Sequence, residues 1–403
     1  MKLFGKNGIT RRRFLIGGAA ATAATAAAVS MGGCSGNDNT DESGEPQIVD
    51  DESQVIDALD EYSDISGEFN NIATWQLPLG TLLFHSDGVW SAAMMAPESA
   101  ASPNTVGVLS LTSGNLVTLV SSATRGRRYN FHDVRCGSGV FAWLEVDYSS
   151  LTWVLLAAGF ADGQLTGDPE QLDQGDSDWE PSMFTAVGST VYWQKMPSTN
   201  GSKTTEASHC YRWSVGDSDS EEVWESPGRF ATHPRVCDNV LTISPRVRAD
   251  EGTYYGMTAV DLSDSNFRQI DQLVLPAGVR PFEAVYMGNS FAFAIEASYS
   301  GSGILGNMGT FIGREGGPYV YVAREPAACP AGKGTRYLIK TRASHCMIDT
   351  DAQTYAVLAC PDRSLDYGDY PASEGTCDLF VTYATTKDTQ GIPESVVARV
   401  FQL

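Results

Sequence analysis

The stretch GSGVFAWLE (137–145) decides the fold, because similar phrases recur along the chain. Each phrase is a turn that contains Gly, Asn or Asp, followed by a strand of alternating large apolar residues. The other copies are SDGVWSAAM (86–94), VGSTVYWQK (187–195), CDNVLTISP (237–245), GNSFAFAIE (288–296) and DAQTYAVLA (351–359). Their first large apolar residues, beginning at Val89, are separated by 51, 51, 49, 51 and 64 residues. Such regular spacing indicates an internally repeated β-structure.

Each phrase is followed by one or two further strands, which gives six units of roughly 50 residues with about four strands each. A sheet of this kind has two apolar faces, and radial stacking buries both. We therefore predict an all-β protein with a six-bladed β-propeller over residues 73–403. A seven-bladed ring, in which Trp75–Phe84 contributes more, is the main alternative, and the regular period disfavours a pair of β-sandwiches. The final strand, Val396–Gln402, either completes the sixth blade or closes the ring with the strand near Ala73–Leu77.

The first 33 residues differ from the rest of the chain and predict an export signal. They contain five lysines and arginines and no acidic residue, and the basic part precedes an apolar, small-residue segment, Phe14–Met31. Its glycines and threonines make that segment too weakly apolar for a permanent spanning helix, which needs about 20 strongly apolar residues. We expect residues 1–33 to be a signal peptide.

Within this segment, Thr10–Leu15 resembles the twin-arginine (Tat) motif, in which an arginine pair, here Arg11 and Arg12, precedes a polar residue, Phe and Leu. The resemblance implies export by the Tat route, which carries proteins that are already folded. The exported chain is then expected to face the periplasm or the exterior.

Residues 31–34 resemble a bacterial lipobox, in which small residues precede an acylated cysteine, here Cys34. Met31 stands where Leu is usual. The resemblance implies diacylglycerol on Cys34, and two acyl chains at about 0.8 kcal/mol per buried CH₂ anchor a protein stably. The membrane is therefore a predicted partner. The alternative is a simple signal peptide cut near Ala28, with Cys34 in the tether.

The repeats themselves resemble the six-bladed, TolB-like propellers, although the usual Ser-Pro-Asp-Gly turn of that family is replaced here by CGSG (136–139), AVGS (186–189) and YMGN (286–289). The resemblance extends over most of Ala73–Leu403. Together with the export motifs, it identifies the chain as similar to Tat-exported bacterial lipoproteins with a TolB-like propeller domain.

The acidic composition excludes one class of partner. Without residues 1–33 the chain has 22 basic and 49 acidic residues, a net charge of −27, which repels nucleic acid. Residues 34–72 are predicted to be a disordered acidic tether, since Ser35–Phe69 has twelve Asp and Glu and no Lys or Arg. Within it, Val55, Ile56, Leu59 and Tyr62 have helical spacing and predict a short helix that docks on the main domain.

A candidate site is predicted where the segments that connect successive blades meet around the central channel. The stretches ahead of the repeated turns are rich in polar and aromatic residues. The candidate ligand-binding residues are Arg128, Tyr129, His132, Asp133, Trp179, Glu180, Arg229, His233, Arg280, Glu283, Arg342 and His345.

Two interpretations of these residues are open. Four arginines at the mouth of a channel attract a carboxylate or a phosphate, and His and acidic residues bind sugar hydroxyls or transfer protons. Alternatively, the arginines and acids pair across blades and stabilise the fold. Pairing and burial favour the structural interpretation, whereas exposure without a partner favours a site.

The loop GSGILGNMGTFIGREGG (301–317) combines seven glycines with apolar residues and is predicted to join the second and third strands of the fifth blade. It is interpreted as a lid, a partner-binding loop or a loop packed on its neighbours. Among the cysteines, Cys360 and Cys377 are the best candidates for a disulfide, because they bracket a loop.

The sequence lacks the motifs of several enzyme classes, such as G-x-S-x-G and G-x-x-x-x-G-K-[ST]. We predict no cofactor and no metal, and no catalytic residue is assigned. The leading hypothesis is a membrane-anchored binding or scaffold module of the cell envelope, with a protein or an anionic small ligand as partner. The alternative is a propeller lyase or hydrolase acting on an acidic glycan through His132, His233 and His345; whether the chain is an enzyme stays open.

Overall fold

The structure is a computed structural model, and it describes residues 44–65, 69–97, 99, 102–342, 344–365 and 368–403. The predicted signal peptide, the arginine pair and Cys34 lie outside these residues. Among the described residues, no helix is both long enough and apolar enough to cross a membrane.

The first described segment contains short elements that precede the main sheets. They are a 3₁₀ helix (Glu52–Gln54), β1 (Val55–Asp57), α1 (Ala58–Glu61), β2 (Ser63–Asp64) and β3 (Asn70–Leu77). Asp57 caps α1, since its carboxylate accepts a hydrogen bond from the Leu59 amide at 3.0 Å.

The remaining strands form seven sheets in chain order. The strands of the first four are β4 (Leu82–Asp87), β5 (Trp90–Met95), β6 (Thr105–Ser110) and β7 (Leu116–Val120) in sheet 1; β8 (Asn130–Cys136), β9 (Val140–Asp147), β10 (Thr152–Ala161), β11 (Gln164–Leu165) and β12 (Glu170–Gly175) in sheet 2; β13 (Met183–Val187), β14 (Thr190–Lys195), β15 (Ser208–Ser214) and β16 (Glu221–Ser226) in sheet 3; and β17 (Arg235–Cys237), β18 (Val240–Ile243), β19 (Arg246–Val247), β20 (Tyr254–Asp261) and β21 (Gln269–Val274) in sheet 4.

The later sheets, 5 to 7, also have antiparallel main strands. Their strands are β22 (Glu283–Met287), β23 (Ser290–Ile295), β24 (Gly309–Gly313) and β25 (Tyr319–Val322) in sheet 5; β26 (Ala331–Lys333), β27 (Arg336–Lys340), β28 (His345–Asp349) and β29 (Thr354–Leu358) in sheet 6; β30 (Tyr370–Pro371) in sheet 7; β31 (Gly375–Thr376) in sheet 6; and β32 (Leu379–Lys387) and β33 (Pro393–Gln402) in sheet 7. The short strand β31 pairs in parallel with β26 of sheet 6. A second 3₁₀ helix (Ile304–Gly306) lies between β23 and β24.

The core consists of apolar layers between successive sheets. In β9, Phe141 and Trp143 face the layer shared with sheet 1, whereas Val140 and Leu144 face the layer shared with sheet 3. This alternation explains the sequence pattern, because successive side chains of a strand point to opposite faces. The same arrangement continues from sheet to sheet, and a final layer joins sheet 7 to sheet 1. The described residues therefore form a closed propeller, and the prediction of an all-β propeller is confirmed.

Strands from the two ends of the propeller close the ring. β3 pairs antiparallel with β33, with Trp75 opposite Ala398, so the second of the two predictions for the final strand is confirmed. The six repeated phrases lie in sheets 1 to 6, one in each, and sheet 7 is the closing sheet. The six repeat-bearing sheets agree with the predicted six-bladed arrangement, while Trp75–Leu77 lie in the closing sheet and Leu82–Phe84 in sheet 1.

The repeated turns have a backbone reason for their composition. The loop between β22 and β23 has two residues, Gly288 and Asn289, with φ of 60° and 61°. Two positive φ values match the twist of a hairpin, and Gly, Asn and Asp tolerate them best. In sheet 6, however, the equivalent turn is at Gly334, between β26 and β27, whereas the phrase at 351–359 joins β28 to β29. This shift explains the 64-residue step.

Residues 44–64 are not a solvated tether but a strap on the outer edge of three sheets. The Gln47 amide donates to the Val274 carbonyl at 2.9 Å in sheet 4, β1 extends sheet 5 in parallel with β25, and β2 extends sheet 6 beside β29. Between them, Ala58 and Tyr62 are buried in the layer between sheets 5 and 6. The predicted docking helix is therefore one turn long, and Val55 and Ile56 belong to β1. Edge strands that are covered in this way cannot pair with other chains.

Candidate functional site

The connections between sheets and the loops between second and third strands share one face, because strands alternate in direction within each sheet. We name it the crossover face. It carries most of the predicted site residues. The first strands of the sheets lie innermost, so their buried polar side chains line the central axis.

The axis contains a buried ion network. Arg235, on β17, lies 3.0 Å from Glu283 Oε2 and 3.0 Å from Glu374 Oε2, and its side chain is 3% exposed. Its two partners come from sheet 5 and from the segment between β30 and β31. Three parts of the ring are thereby joined at one guanidinium group.

The protonation of these groups follows from their mutual proximity. Burial alone raises the pKa of Glu374, but Arg235, Arg135 and two histidines outweigh it and lower that pKa to about 2. Burial lowers the pKa of Arg235, whereas Glu374 and Glu283 raise it to a value above its usual range. Glu374 and Arg235 are therefore both ionised at neutral pH. One of the two histidines is His233, which places this predicted site residue beside the axis.

A second buried arginine lies nearby on β8. Arg135 pairs with Asp133 at 2.9 Å and lies over the rings of Phe84 and Phe184. Burial raises the pKa of Asp133, and Arg135 opposes that shift. His85 faces the same region, where burial lowers its pKa, and neither of its ring nitrogens has a hydrogen-bond partner among the described residues.

On the crossover face, further predicted residues are paired with one another. Arg229 Nη1 lies 3.3 Å from Glu180 Oε1 and also donates to the Pro197 carbonyl. Arg280 is exposed and donates to the Ala231 carbonyl at 3.4 Å. These contacts favour the structural interpretation of Glu180 and Arg229, since both groups are held by the fold.

Two predicted residues lie elsewhere than the sequence suggested. Arg342 and His345 belong to the loop between the second and third strands of sheet 6 and to β28, not to a crossover, because the repeat is shifted there. Arg342 is exposed and lies 3.5 Å from Glu325. His345 is fully buried, with Nδ1 3.3 Å from Asp369 Oδ1, so it does not face a ligand from solvent.

The first crossover separates its predicted residues. Arg128 is exposed, whereas the partly buried His132 has Nδ1 2.8 Å from the Tyr148 hydroxyl. Tyr129 turns towards sheet 2, where its hydroxyl lies 2.8 Å from Thr152 Oγ1. The structure therefore does not gather His132, His233 and His345 at one position.

Tyr129 and Trp179 meet in an open cleft of about 380 Å³, which we name the Tyr129 cleft. They come from successive crossovers. Its other lining residues are Arg125, Thr152, Trp153, Val154, Gln174, Gly175 and Asp176. The Trp179 carbonyl accepts a hydrogen bond from Trp153 Nε1 at 3.0 Å, which fixes the backbone of the second crossover. The cleft thus combines aromatic side chains with a cation, an amide and a carboxylate.

No protein family and no curated protein matches the sequence. Among solved structures, the chain is similar to a prolyl endopeptidase at 12% identity and a TM-score of 0.52, over 82% of this chain and 47% of that one. It is similar to puromycin hydrolase at 10% identity and a TM-score of 0.50, over 84% and 54%. The β-propeller domain of the Trilobed protease from Pyrococcus furiosus matches at 10% identity and a TM-score of 0.49, over 81% and 95%. The chain spans about half the length of the first two, and the likeness concerns the fold.

The glycine-rich segment 301–317 is a packed loop followed by a strand. Residues 296–308 join the second and third strands of sheet 5, as predicted, and Gly309–Gly313 is β24. Leu305 is fully buried, the Ile304 amide donates to the Val49 carbonyl of the strap, and Phe311 stacks between Phe293 and Tyr321. Of the three interpretations, packing on neighbours is confirmed.

The predicted disulfide between Cys360 and Cys377 is not formed in the described part of the chain. Cys377 follows β31, where its amide donates to the Gly332 carbonyl on the innermost strand of sheet 6. Cys360 follows β29 on the opposite, outer side of that sheet. Burial raises the pKa of Cys377 to about 12, so its thiol is protonated.

Sequence reasoning missed Arg135, Arg235 and Glu374 at the axis and Arg125 in the cleft. One signal was available, because Arg135 stands one residue and Arg235 two residues before a cysteine at the end of a first strand, in VRC and PRVC. Glu374 gave no such signal, since it lies in a short irregular segment outside the repeats.

Proposed function

We propose that the chain is an exported, membrane-anchored propeller that acts as a binding module of the cell envelope and takes its ligand in the Tyr129 cleft. The observation that carries the proposal is the meeting of Tyr129 and Trp179, from successive crossovers, in one open cleft with Arg125, Gln174 and Asp176. Ligand sites combine such aromatic surface with a few polar groups that fix orientation.

The composition of the cleft favours an acidic glycan as ligand. Arg125 is exposed and donates to Gln171 Oε1 on the neighbouring strand, so its guanidinium group keeps further donors for a carboxylate. Gln174 and Asp176 supply partners for sugar hydroxyls. Tyr129 and Trp179 supply flat apolar surface for a sugar ring.

The central axis is a less suitable place for a ligand. Arg235 is held by both Glu283 and Glu374, so a ligand that entered there has to break a buried ion pair, at a cost of several kcal/mol. Binding on the crossover face leaves this network intact. Binding in the Tyr129 cleft also involves none of the residues of the buried ion network.

Calorimetric titration of the purified full chain with galacturonic acid oligosaccharides tests the proposal. We expect saturable binding that Arg125→Ala and Trp179→Ala each weaken at least about tenfold, a loss of about 1.4 kcal/mol. Arg268→Ala is the matched control. This exposed arginine lies in the turn between β20 and β21 of sheet 4, on the face opposite to the crossover face.

Two results contradict the proposal. One is binding that is absent or that the cleft variants leave unchanged. The other is cleavage of the oligosaccharide by the wild-type chain, which favours the lyase or hydrolase alternative.

The export part of the proposal rests on the basic N-terminus, the arginine pair and Cys34, and it has its own test. Membrane fractionation of a bacterial host that expresses the full chain is expected to find it on the membrane. Replacing Arg11 and Arg12 together with Lys is expected to retain the precursor in the cytoplasm. Cys34→Ala is expected to release the exported protein from the membrane; an unchanged membrane fraction contradicts lipid anchoring.

A further inference from the structure

Sheet 3 carries a group of potential metal ligands on its two outer strands, β15 and β16. His209, Glu222 and Glu225 each place one ligand atom within 4.8 Å of the others. His209 lies on β15 directly opposite Glu225 on β16. A bulge between Cys210 and Tyr211 shifts the register, which brings Glu222 to the same face of the sheet.

The His209 imidazole is held in place by aromatic stacking, and its Nδ1 makes no hydrogen bond to the described residues. His209 stacks on Tyr211, with ring centroids 5.9 Å apart and planes 26° apart. Its Nδ1 is shielded from solvent and makes no hydrogen bond within the described part of the chain, although Glu222 Oε1 lies 3.3 Å away. A ring nitrogen in this state is available as a ligand.

The two carboxylates lack a compensating cation. Among the described residues, no lysine or arginine forms an ion pair with Glu222 or Glu225, whereas the neighbouring Glu221 pairs with Arg212 at 2.6 Å. Lys195, opposite His209 on β14, is already paired with Asp173 at 2.5 Å. Two adjacent carboxylates in a chain of strongly negative charge favour the uptake of a cation.

We propose that His209, Glu222 and Glu225 bind a divalent transition-metal ion such as Zn²⁺. An imidazole nitrogen and two carboxylate oxygens are zinc ligands, and three protein ligands leave an open coordination position. Ligand atoms around Zn²⁺ lie about 3.4 Å apart for bond lengths of roughly 2.0–2.1 Å, so small rotations of the two exposed glutamates bring the group to that geometry. Calcium is disfavoured, because it prefers oxygen ligands only.

No metal is predicted from the sequence, because the three residues are separated along the chain and match no zinc spacing. The site depends on the β15–β16 register and its bulge, neither of which has a sequence signal. It shares no residue with the lining of the Tyr129 cleft.

The test is a competition titration of the purified full chain with Zn²⁺ and a chromophoric chelator. We expect one bound ion in the wild type. We also expect His209→Ala to abolish this site, and Glu222→Gln and Glu225→Gln to raise its dissociation constant at least about tenfold. His132→Ala is the matched control, because His132 is another partly exposed histidine, and it should retain the bound ion. Wild-type stoichiometry in His209→Ala, or no bound ion in the wild type, overturns the proposal.

Thermal unfolding of the same variants separates metal binding from folding. Zn²⁺ should raise the melting temperature of the wild type and of His132→Ala but not of His209→Ala. All three should unfold at similar temperatures in the presence of excess chelator. An equal rise in all three proteins means that Zn²⁺ binds elsewhere, which contradicts the assignment.

Discussion

Arg235 forms ion pairs with carboxylates from two other parts of the ring. Substitutions of those carboxylates are therefore expected to lower the stability of the fold. Glu283 and Glu374 each approach its guanidinium group at 3.0 Å, and their side chains are only 10% and 19% exposed. Breaking a buried ion pair by removing one partner leaves an uncompensated charge, which costs roughly 3–5 kcal/mol. The axis is therefore a place where single polar substitutions affect the whole fold.

Glu374→Gln is predicted to lower the free energy of unfolding at pH 7 by about 3 kcal/mol, since it removes one of the two charges that balance Arg235. Urea unfolding followed by tryptophan fluorescence measures the change. Glu251→Gln is the control, because Glu251 pairs with Arg248 on the surface and such pairs contribute at most about 1 kcal/mol. A loss for Glu374→Gln no larger than that of the control contradicts the ion network.

The low pKa of Glu374 also sets a pH dependence. A carboxylate whose pKa is about 2 in the folded chain and about 4.3 when unfolded contributes stability that is complete above the unfolded value. That contribution is lost as the pH falls from about 4.3 to 2. We expect the stability difference between wild type and Glu374→Gln to shrink across this range, as measured by urea unfolding at pH 5 and pH 3; a constant difference contradicts the assignment.

His345 predicts a second pH effect, at higher pH. It is fully buried beside Asp369 and Phe380, with Lys340 and Arg399 nearby, and burial lowers its pKa. Below about pH 6.5 the unfolded chain takes up a proton that folded His345 does not, so stability falls. His345→Asn should reduce the loss of stability between pH 7 and pH 5.5, as measured by urea unfolding at the two pH values. Equal losses in the wild type and in His345→Asn contradict this account.

At the scale of elements, the strap 44–64 accounts for the acidic segment that precedes the propeller. Its strands β1 and β2 pair with the outer strands of sheets 5 and 6, and Ala58 and Tyr62 fill the layer between them. The many carboxylates face outward, while one apolar stripe faces the sheets. The acidic composition predicted a tether, because composition alone does not show that a few apolar residues, such as Ala58 and Tyr62, are buried against the sheets.

Tyr62→Ala tests the strap. Tyr62 is 8% exposed, and truncating a buried aromatic residue costs roughly 3 kcal/mol. The expected result is a lower melting temperature and earlier protease cleavage within residues 44–65. Ile65→Ala is the control, because Ile65 is 48% exposed; equal effects of the two substitutions contradict a packed strap.

The sequence predicted those elements that depend on residues close together in the chain. It missed those that depend on contacts between residues far apart in the chain. The turn residues and alternating strands, as in Val140–Asp147, located the second strands of sheets 1 to 5, because hairpin geometry and burial on two faces are local requirements. In sheet 6 the turn at Gly334 follows a lysine and a short strand, and the repeated phrase matches the turn between β28 and β29 instead. That shift displaced Arg342 and His345 from their predicted places.

The sequence predicted a site at the mouth of the central channel, whereas the Tyr129 cleft lies against β10 and β12 of sheet 2. Tyr129 and Trp179 were identified from the crossovers, and the structure brings them into one cleft. Their companion Arg125 could not be chosen from sequence among the neighbouring Arg127 and Arg128, since only the turn geometry determines which side chain points towards Gln171. The pairing of Glu180 with Arg229 likewise depends on the packing of sheets 3 and 4.

At the scale of the whole molecule, the account depends on the closure of the ring by β3 and β33. Closure places the crossovers on one face and the ion network on the axis, and it joins the two ends of the domain in sheet 7. The layer between sheets 7 and 1 buries Leu77, Val396 and Ala398. Because β3 follows the strap directly, the chain completes the ring immediately after it has crossed the outer edges of sheets 4 to 6.

Disulfide cross-linking across β3 and β33 tests this closure most directly. Gln76 and Val397 are opposite each other, so the double variant Gln76→Cys/Val397→Cys should form a cross-link on mild oxidation, detected as a linked peptide by mass spectrometry. The off-register control, Gln76→Cys/Arg399→Cys, should not, because residues shifted by two positions exceed the roughly 7 Å limit for a disulfide. Cross-linking of the first pair alone is the result we predict; no cross-link in that pair, or equal cross-linking in both, contradicts the closed propeller.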